Sequence, residues 1–389
     1  MKRIALLTET SRGYGRDFLT GVAQFAQERR DWLMRLLSPE DLGGRKPFAG
    51  FDGIISRAAD AATMRKIRAS GLPTADASHE ETDPYLIIVG ADDAAVARMA
   101  ADFFLKRGFR HFAYCGFKGT RFSDNRCRSF RQRLAEAGFG MSEFTAPEPM
   151  TDAFFYSEKI DDIRPLLQMR DWVKSLPPQT AVFCANDMRA YQLMRVAAAE
   201  AIRIPQDLAV LGSDNDNLLC LFSTPPLSSI DPNAKGVGYA AARLLHAAMQ
   251  HPDAPRKRHR PFTHITPGEL IERASTEFYP VEPAWLSDLL VFIDRNLARP
   301  IAVTDLVALS GRSYPTVEKA FTKAFGETIG HTITRIKMTE AQRLIKLGQL
   351  SSKEIAARTG FTSPQYFCNA YRAFFGHAPF SHTRNREKR

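Results

Sequence analysis

Two stretches near the end of the chain share one pattern: Val303-Thr-Asp-Leu-Val-Ala-Leu-Ser-Gly311 leads to Ser313, and Ser352-Lys-Glu-Ile-Ala-Ala-Arg-Thr-Gly360 leads to Ser363. Each predicts a short helix, a glycine, a turn that opens on serine, and a longer helix that ends at a second glycine. Glycine adopts the left-handed conformation that ends a helix, and serine caps the next one. This is the layout of a helix-turn-helix, whose second helix can enter the major groove of DNA.

The charge of this region favours the same interpretation. The segment from Trp285 to Arg389 carries 16 Lys and Arg against 8 Asp and Glu, whereas the whole chain of 389 residues has a net charge of +10. Most of the excess positive charge is therefore at the end of the chain, where it would attract a polyanion. A plain helical bundle with a solubilising surface is the alternative. Two basic units with the same pattern, joined by a predicted helix over Thr332–Leu347, favour DNA binding.

Residues 286–384 resemble the AraC-type DNA-binding domain, through motifs that include Phe321 to Gly326, Gly360-Phe361 and Phe374-Phe375-Gly376. The resemblance implies that the two longer helices lie in successive major grooves. Outward-facing residues near their starts are then expected to meet the DNA, and they are Ser313, Thr316, Lys319, Ser363, Gln365, Tyr366 and Asn369. Lys323 and Arg372, one turn further on, are expected to contact phosphates. The apolar residues Val317, Phe321, Phe367 and Tyr371 are predicted to be core.

The first 270 residues have a different character, because short apolar runs alternate with amphipathic helical stretches. Strands are predicted at Ile4–Leu7, Leu33–Leu37, Gly53–Ser56, Leu86–Val89, Phe112–Cys115, Ala181–Cys184 and Ala209–Gly212. Alternating strands and helices indicate parallel sheets covered on both faces. Since one sheet of ordinary size would use about half of these units, two sheets in two lobes are predicted.

Polar residues follow several of these strands, at the edge where open parallel sheets bind ligands. No Gly-x-Ser-x-Gly elbow, phosphate-binding Walker motif or metal-ligand spacing of histidines occurs, so no catalytic residues, cofactor or metal are predicted. The five cysteines are scattered, which indicates free thiols in a reducing compartment rather than a disulfide scaffold. A receptor is therefore favoured over an enzyme.

Residues 1–273 resemble the effector domain of lac-repressor-type regulators and periplasmic sugar-binding proteins. The most specific stretch runs from Ala185-Asn186-Asp187-Met188 to Asp214-Asn215. The resemblance implies that Asp92, Arg126, Asn186 and Asp214 line a sugar-binding cleft, and Tyr14 and Arg16 are weaker candidates. For Asp92 and Asp187 a helix-capping role is the alternative. Carboxylates, amides and an arginine suit a ring of hydroxyl groups.

The expected architecture is therefore an α/β two-lobed periplasmic-binding-protein-like effector domain (1–273), a linker (274–284) and an all-α domain with two helix-turn-helix motifs (285–389). The combination resembles the xylose-responsive operon regulators. It implies D-xylose as effector, a homodimer on double-stranded promoter DNA, contact with RNA polymerase and activation of transcription. The scattered cysteines, and the lack of an uninterrupted apolar stretch of ~18–20 residues, predict a cytoplasmic protein without a membrane segment. The alternatives are a regulator that binds another pentose, a hexose or a purine, a repressor, and a sugar-metabolising enzyme with a helical appendage.

Overall fold

The computed structural model describes residues 1–38, 40–44, 46–57, 61–77, 86–146, 164–250, 262–347 and 350–380. The chain divides into two compact units, Met1–Glu277 and Phe278–Arg389. The basic run Arg256 to Arg260, interpreted from the sequence as a solvated loop, lies outside the described residues.

The first unit alternates strands and helices along its whole length. Its elements are β1 (Lys2–Leu7), α1 (Gly13–Arg29), β2 (Trp32–Leu36), β3 (Gly53–Ser56), α2 (Ala61–Ser70), β4 (Thr74–Asp76), β5 (Ile87–Ala91), α3 (Asp93–Lys106), β6 (His111–Phe117), α4 (Arg121–Glu136), β7 (Ser142–Ala146), α5 (Arg164–Ser175), β8 (Thr180–Cys184), α6 (Asp187–Ala199), β9 (Leu208–Ser213), α7 (Asn217–Phe222), β10 (Ser228–Ile230), α8 (Ala234–Gln250), β11 (Thr263–Ile265) and β12 (Leu270–Ile271).

Twelve described strands form two sheets of six. The order in the first is β11-β5-β4-β3-β1-β2, and in the second it is β12-β10-β9-β8-β6-β7. All pairs are parallel except β10 with β12. The predicted pair of lobes is confirmed. The chain passes from one sheet to the other after β5, after β10 and after β11, so three segments connect the lobes.

Strand β1 shows why its residues form a central strand. Ile4 and Leu6 face the apolar cluster that contains Phe18 of α1, whereas the alternate residues Ala5 and Leu7 face the cluster on the opposite side of the sheet. All four side chains are buried. A continuous apolar run is what a parallel strand needs when helices cover both faces.

The second unit is helical in its described part. Its helices are α9 (Trp285–Arg295), α10 (Val303–Ser310), α11 (Tyr314–Phe325), α12 (Ile329–Leu347), α13 (Ser352–Arg358) and α14 (Pro364–Phe375). Gly311 after α10 and Gly360 after α13 have φ of 62° and 64°, the left-handed region in which glycine is favoured. The two predicted helix-turn-helix motifs are therefore present, and α12 connects them.

The segment 274–284, expected to be a linker, begins inside the first unit. Ala274–Thr276 form a 3-10 turn in which Ser275 and Thr276 are fully buried. The Ser275 hydroxyl donates to the carbonyl of Val210 in β9 at 2.6 Å, and the hydroxyls of Ser228 and Thr276 are 2.7 Å apart. Pro280 and Pro283 indicate a linker after residue 273, and Ser275 and Thr276 carry no apolar signal against that interpretation. Their burial depends on hydrogen bonds instead.

Candidate sugar cleft and DNA-reading helices

A small polar cavity lies at the carboxyl ends of the strands in the first unit. It has a volume of about 70 Å³ and is lined by Glu9, Arg12, Tyr14, Arg57, Phe122, Arg126, Asn186 and Asp214. Glu9 follows β1 and Arg57 follows β3 in the first lobe, whereas Asn186 follows β8 and Asp214 follows β9 in the second. The lining therefore comes from both lobes, at the edge where parallel sheets bind ligands.

Arg126 of α4 is buried, with 2% of its surface exposed, and is held by groups around the cavity. Its Nε donates to Asp93 at 2.9 Å, and its Nη1 donates to the carbonyl of Ala185 at 2.6 Å. The same Nη1 is 4.0 Å from the carboxylate of Asp214. Burial raises the pKa of Asp93, and the neighbouring guanidinium opposes that rise. Arg126 is thus fixed in place as a donor for an acceptor in the cavity.

Asp214 and Asn186 are the carboxyl and the amide group that the second lobe brings to the cavity. Asp214 has φ of 127°, a conformation that is costly for a residue with a side chain. The hydrogen bond from its backbone N–H to the carbonyl of Ile230, at 3.0 Å, holds it there. Burial raises the pKa of Asp214 to about 8, although Arg126 lowers it in part. Asn186 caps α6 by accepting from the backbone of Arg189 at 3.0 Å, which leaves its amide nitrogen as a donor.

The first lobe contributes an aromatic ring and a charged pair. Arg57 donates to Glu9 at 2.6 Å, and its guanidinium lies 4.2 Å from the ring centre of Tyr14. Burial raises the pKa of Tyr14 to about 12. The Tyr14 hydroxyl and the Arg57 Nε are both buried and have no hydrogen-bond partner among the described residues. Buried polar groups normally have a partner, so these two suit a bound polar molecule.

Two of the predicted ligand residues lie outside the lining of this cavity. Asp92 caps α3 by accepting from the backbone of Ala95 at 2.8 Å, which was the alternative considered for it, and the next residue, Asp93, contacts Arg126. Arg16 donates to the carbonyl of Thr10 at 3.0 Å and is 3.9 Å from Asp216. The predicted ligand set lacks Glu9, Arg12, Arg57 and Phe122. Glu9 is one of the polar residues that follow a predicted strand, but it was not included in that set. Arg57 follows β3, and the strand-end rule applied to that strand would have found it.

The lining is suited to a small molecule with several hydroxyl groups. A carboxylate accepts from hydroxyls, a guanidinium donates to them, and an amide does both. The aromatic residues Tyr14 and Phe122 also line the cavity, with the guanidinium groups of Arg57 and Arg126 at 4.2 Å and 5.2 Å from their ring centres. Ligand pockets usually enclose about 300 Å³ or more, so a cavity of about 70 Å³ is smaller than a bound sugar requires.

In the second unit, α11 presents its predicted contact residues to solvent. Ser313, Thr316, Lys319 and Lys323 are all exposed, whereas Val317 and Phe321 on the opposite face are fully buried. Ser313 stands at the capping position, but its hydroxyl bonds to that of Thr316 at 2.9 Å rather than to the backbone. Polar side chains thus form one continuous exposed face.

Helix α14 repeats this arrangement. Its exposed residues include Gln365, Tyr366, Asn369 and Arg372, whereas Phe367 and Tyr371 are buried as predicted. Ser363 caps the helix by accepting from the backbone of Tyr366 at 3.1 Å, in agreement with its predicted role in the turn. The amide of Gln365 is 3.5 Å from that of Asn369. Adjacent amides of this kind can bond the edge of adenine in the major groove.

Comparison with known proteins matches both halves of the chain. Residues 101–276 match the periplasmic binding protein-like domain, and residues 306–386 match a helix-turn-helix domain. The chain is a transcription regulator built from these two domains. It is 26% identical to the xylose operon regulatory protein of Escherichia coli K12, over 97% of this chain and 95% of that protein. The corresponding protein of Haemophilus influenzae is 24% identical, over 97% of each chain.

A solved structure agrees with these matches. The structure of the xylose-binding transcription activator xylR aligns over 97% of this chain and 96% of its own, with a TM-score of 0.60 and 25% identity. The expected fold and the expected resemblance to sugar-responsive regulators are therefore confirmed. None of the described helices is long and apolar enough to cross a membrane. Among the described residues, no group of three or more His, Cys, Asp and Glu is placed to hold a metal ion.

Proposed function

We propose that this regulator is an activator of transcription that responds to D-xylose. The observation that carries the proposal is the polar cavity between two lobes, in which Arg126 and Asp214 lie 4.0 Å apart and are joined in the lining by Asn186. The full-length resemblance to xylose operon regulatory proteins supports xylose as the ligand and supports activation. The effector domain spans residues 1–273 together with the turn to 276, and the DNA-binding domain begins at about residue 285.

Six of the cavity residues bind the sugar in this proposal. Arg126, Asn186 and Asp214 bind sugar hydroxyls from the second lobe, while Tyr14, Glu9 and Arg57 bind them from the first. Asp92 and Arg16 act from outside the cavity, Asp92 by capping α3 and Arg16 through its ion pair with Asp216. Because groups from both lobes contact one ligand, the sugar binds the closed form more tightly than the open form. A ligand shifts an equilibrium only by such a difference in affinity.

The output of the switch is binding to promoter DNA. A homodimer would place four helix-turn-helix motifs on repeated sites and would allow contact with RNA polymerase, in the cytoplasm. Exposed residues of α11 and α14 read the bases in this proposal, with Lys323 and Arg372 on phosphates. The chain carries out no catalysis of its own. The absence of a nucleophile-and-base arrangement in the sequence motifs supports a receptor rather than an enzyme.

The experiment that tests the ligand is thermal unfolding of the purified protein with a panel of pentoses and hexoses. A ligand at about one hundred times its dissociation constant stabilises the unit that binds it by roughly 2.7 kcal/mol. D-xylose is expected to raise the unfolding temperature of the first unit alone. A rise with another sugar would keep the mechanism and replace the ligand. No rise with any sugar in the panel would overturn the assignment of the cleft, and conversion of a bound sugar to product would favour the enzyme.

A further inference from the structure

Helix α12 passes through two separate apolar cores. Ile333 and Ile336 of this helix pack in the core of the first helix-turn-helix motif, together with Phe321. Met338 and Ala341 pack in the core of the second motif, with its own set of aromatic residues. The two motifs therefore share a helix but not a core. Their relative orientation depends on what lies at the junction, which falls at residue 337.

Lys337 occupies this junction and is almost fully buried, with 7% of its surface exposed. Its ammonium donates to the carbonyl of Arg299 at 3.0 Å and to that of Gly360 at 3.4 Å. Arg299 lies between α9 and α10, in a segment whose Leu297 and Ile301 pack against the core of the first motif. Gly360 lies in the turn of the second motif. One ammonium group thus bonds a backbone carbonyl from each motif.

The turn of the second motif also packs directly on backbone of the first. A Cβ atom at Gly360 would lie 2.5 Å from the carbonyl oxygen of Arg299 and 2.6 Å from that of Leu297. The carbonyl oxygens of Arg299 and Leu297 and the Lys337 ammonium therefore lie around the position that a side chain at residue 360 would occupy. An ammonium group with three donors is the side chain that suits such a cluster of acceptors.

Burial of the Lys337 ammonium is energetically costly, so specific hydrogen bonds must offset that cost. Burial lowers the pKa of Lys337, and no acidic side chain among the described residues opposes this effect. Burying a charge without an opposite charge destabilises a fold unless hydrogen bonds offset the cost. A methionine would fill the same space in an apolar junction without that cost. The charge is therefore explained by the two carbonyls that it joins.

We propose that Lys337 is a positioning residue that fixes the angle between α11 and α14, and through it the spacing of the two DNA segments that they read. The proposal rests on the assignment of these helices as DNA-reading. Two contacts held at a fixed geometry bind together much more tightly than either does alone, but only on DNA with the matching spacing. Recognition helices that enter successive major grooves must be about one helical turn of DNA apart, roughly 34 Å.

The test compares full-length wild type with Lys337→Met on DNA of varied spacing. The operator is first selected with wild-type protein from a pool of random double-stranded DNA. Base pairs are then inserted or deleted, one or two at a time, between the segments read by α11 and α14, and affinity is measured by fluorescence anisotropy. Wild type is expected to lose at least tenfold in affinity with one inserted base pair. Lys337→Met is expected to bind the original operator about tenfold more weakly and to show a much flatter dependence on spacing.

Lys353→Met is the matched control, since Lys353 is exposed on α13 in the same unit. It is expected to keep the wild-type dependence on spacing, whether or not it lowers affinity at every spacing. A folded Lys337→Met protein with the wild-type spacing profile would overturn the proposal. So would an equal loss at every spacing, because that result indicates a simple loss of charge.

Lys337→Arg is the second variant to be measured, in case Lys337→Met does not fold. Lys337→Arg retains a cation with donors but places them on a longer, planar group. It is expected to remain folded and to shift the preferred spacing or broaden it. An unchanged profile for Lys337→Arg would contradict the proposed role. If the wild-type protein selects no particular sequence from the random pool, the assignment of α11 and α14 as DNA-reading helices is wrong. That outcome differs from an unchanged spacing profile, which refutes only the role of Lys337.

Discussion

Asp216 accepts a hydrogen bond from the backbone N–H of Gly13 at 2.7 Å and so connects the start of α7 in the second lobe to the start of α1 in the first. Its other carboxylate oxygen caps α7 by accepting from Leu218 at 3.1 Å. A negative charge at the amino-terminal ends of two helices is favourable at both. Neither Asp216 nor Gly13 lines the cavity, so this contact stabilises the closed cleft without touching a ligand.

Asp216→Ala is therefore expected to weaken sugar binding although no ligand contact is removed. A hydrogen bond to a charged group contributes about 1.5–3 kcal/mol, and the closed form loses one such bond, so affinity should fall roughly tenfold or more. Isothermal titration with the sugar that stabilises the first unit provides the measurement. Asp207→Ala, which removes an exposed ion pair with Arg203 on the protein surface, is the control. Equal affinities for Asp216→Ala and wild type would rule out the closing role.

Asp214→Ala is expected to abolish the response to sugar while leaving DNA binding by the sugar-free protein unchanged. The side chain lines the cavity beside Arg126, and it belongs to the unit that does not read DNA. The measurement is operator affinity with and without sugar. A variant that still responds to sugar would show that the ligand binds elsewhere.

Asp214→Asn should reveal the raised pKa of this carboxyl. A folded-state pKa of about 8, well above the ordinary value of 3.8, means that the folded protein holds the proton more tightly than the unfolded chain. The stabilisation is then complete below pH 3.8 and is lost as the pH rises through about 8. The free energy of unfolding of wild type, relative to Asp214→Asn, should therefore decline steadily between these values.

The charged neighbours of Asp214 act in both directions, since Asp187 and Asp216 raise its pKa while Arg126 and Arg57 lower it. Urea denaturation in the absence of sugar, from pH 5 to pH 8, provides the measurement. Asp207→Asn is the comparison, because its pKa is lowered and its contribution is constant over this range. A difference between wild type and Asp214→Asn that does not change with pH would refute the prediction.

Lys319→Ala and Asn369→Ala should each weaken operator binding by roughly 1–3 kcal/mol and relax selectivity at one base position. Both side chains are exposed on the outer faces of their helices. Lys323→Ala should instead weaken binding to all DNA sequences alike and reduce the dependence on salt. Competition with single-base operator variants separates the two patterns. A uniform loss for Lys319→Ala would reassign that residue to a phosphate.

Phe367→Ala should destabilise the second unit alone. The ring is fully buried between Phe361 and Tyr371, with centroid distances of 5.6 Å and 5.7 Å. Removing a buried phenylalanine costs about 3–5 kcal/mol. Calorimetry should show a lower unfolding temperature for the second unit and an unchanged response of the first to sugar. Leu309→Ala, at an exposed site in the same unit, should have little effect. A loss of sugar binding in Phe367→Ala would contradict the independence of the two units.

The sequence was sufficient for the elements that carry a strong local signal. Continuous apolar runs predicted β1, β3 and β8. A glycine followed by a serine at the same spacing in two segments predicted both helix-turn-helix motifs. The short strands β4, β10 and β11 were not singled out, because each has three residues and includes polar ones. Asp76 in β4 and Ser228 in β10 are fully buried, which no periodicity of hydrophobic residues could indicate. Their environment is created by residues distant in the sequence.

Three of the residues that line the cavity were among the predicted ligand residues on the second lobe. Arg126, Asn186 and Asp214 all line the cavity. The strand-end rule led to Asn186 and Asp214, whereas Arg126 lies within α4 and was expected only from the resemblance. Asp92 and Asp93 are adjacent, and only the fold decides which of them caps α3 and which contacts Arg126. The pairing of Glu9 with Arg57 joins residues 48 positions apart, so their shared role was not visible in either local segment.

The buried turn at residues 274–276 has a practical consequence for chimeric regulators. Ser275 is hydrogen-bonded to Val210 of β9, the strand that immediately precedes Asp214. The Arg107 guanidinium donates to the carbonyl of Thr276 at 2.9 Å. A graft of this receptor onto a foreign DNA-binding module should therefore be joined after Glu277. A junction at residue 273 would remove the hydrogen-bond partners of Val210 in β9 and Ser228 in β10, and would therefore destabilise the second sheet of the grafted receptor. The boundary between the two units lies a few residues later than the sequence composition indicates.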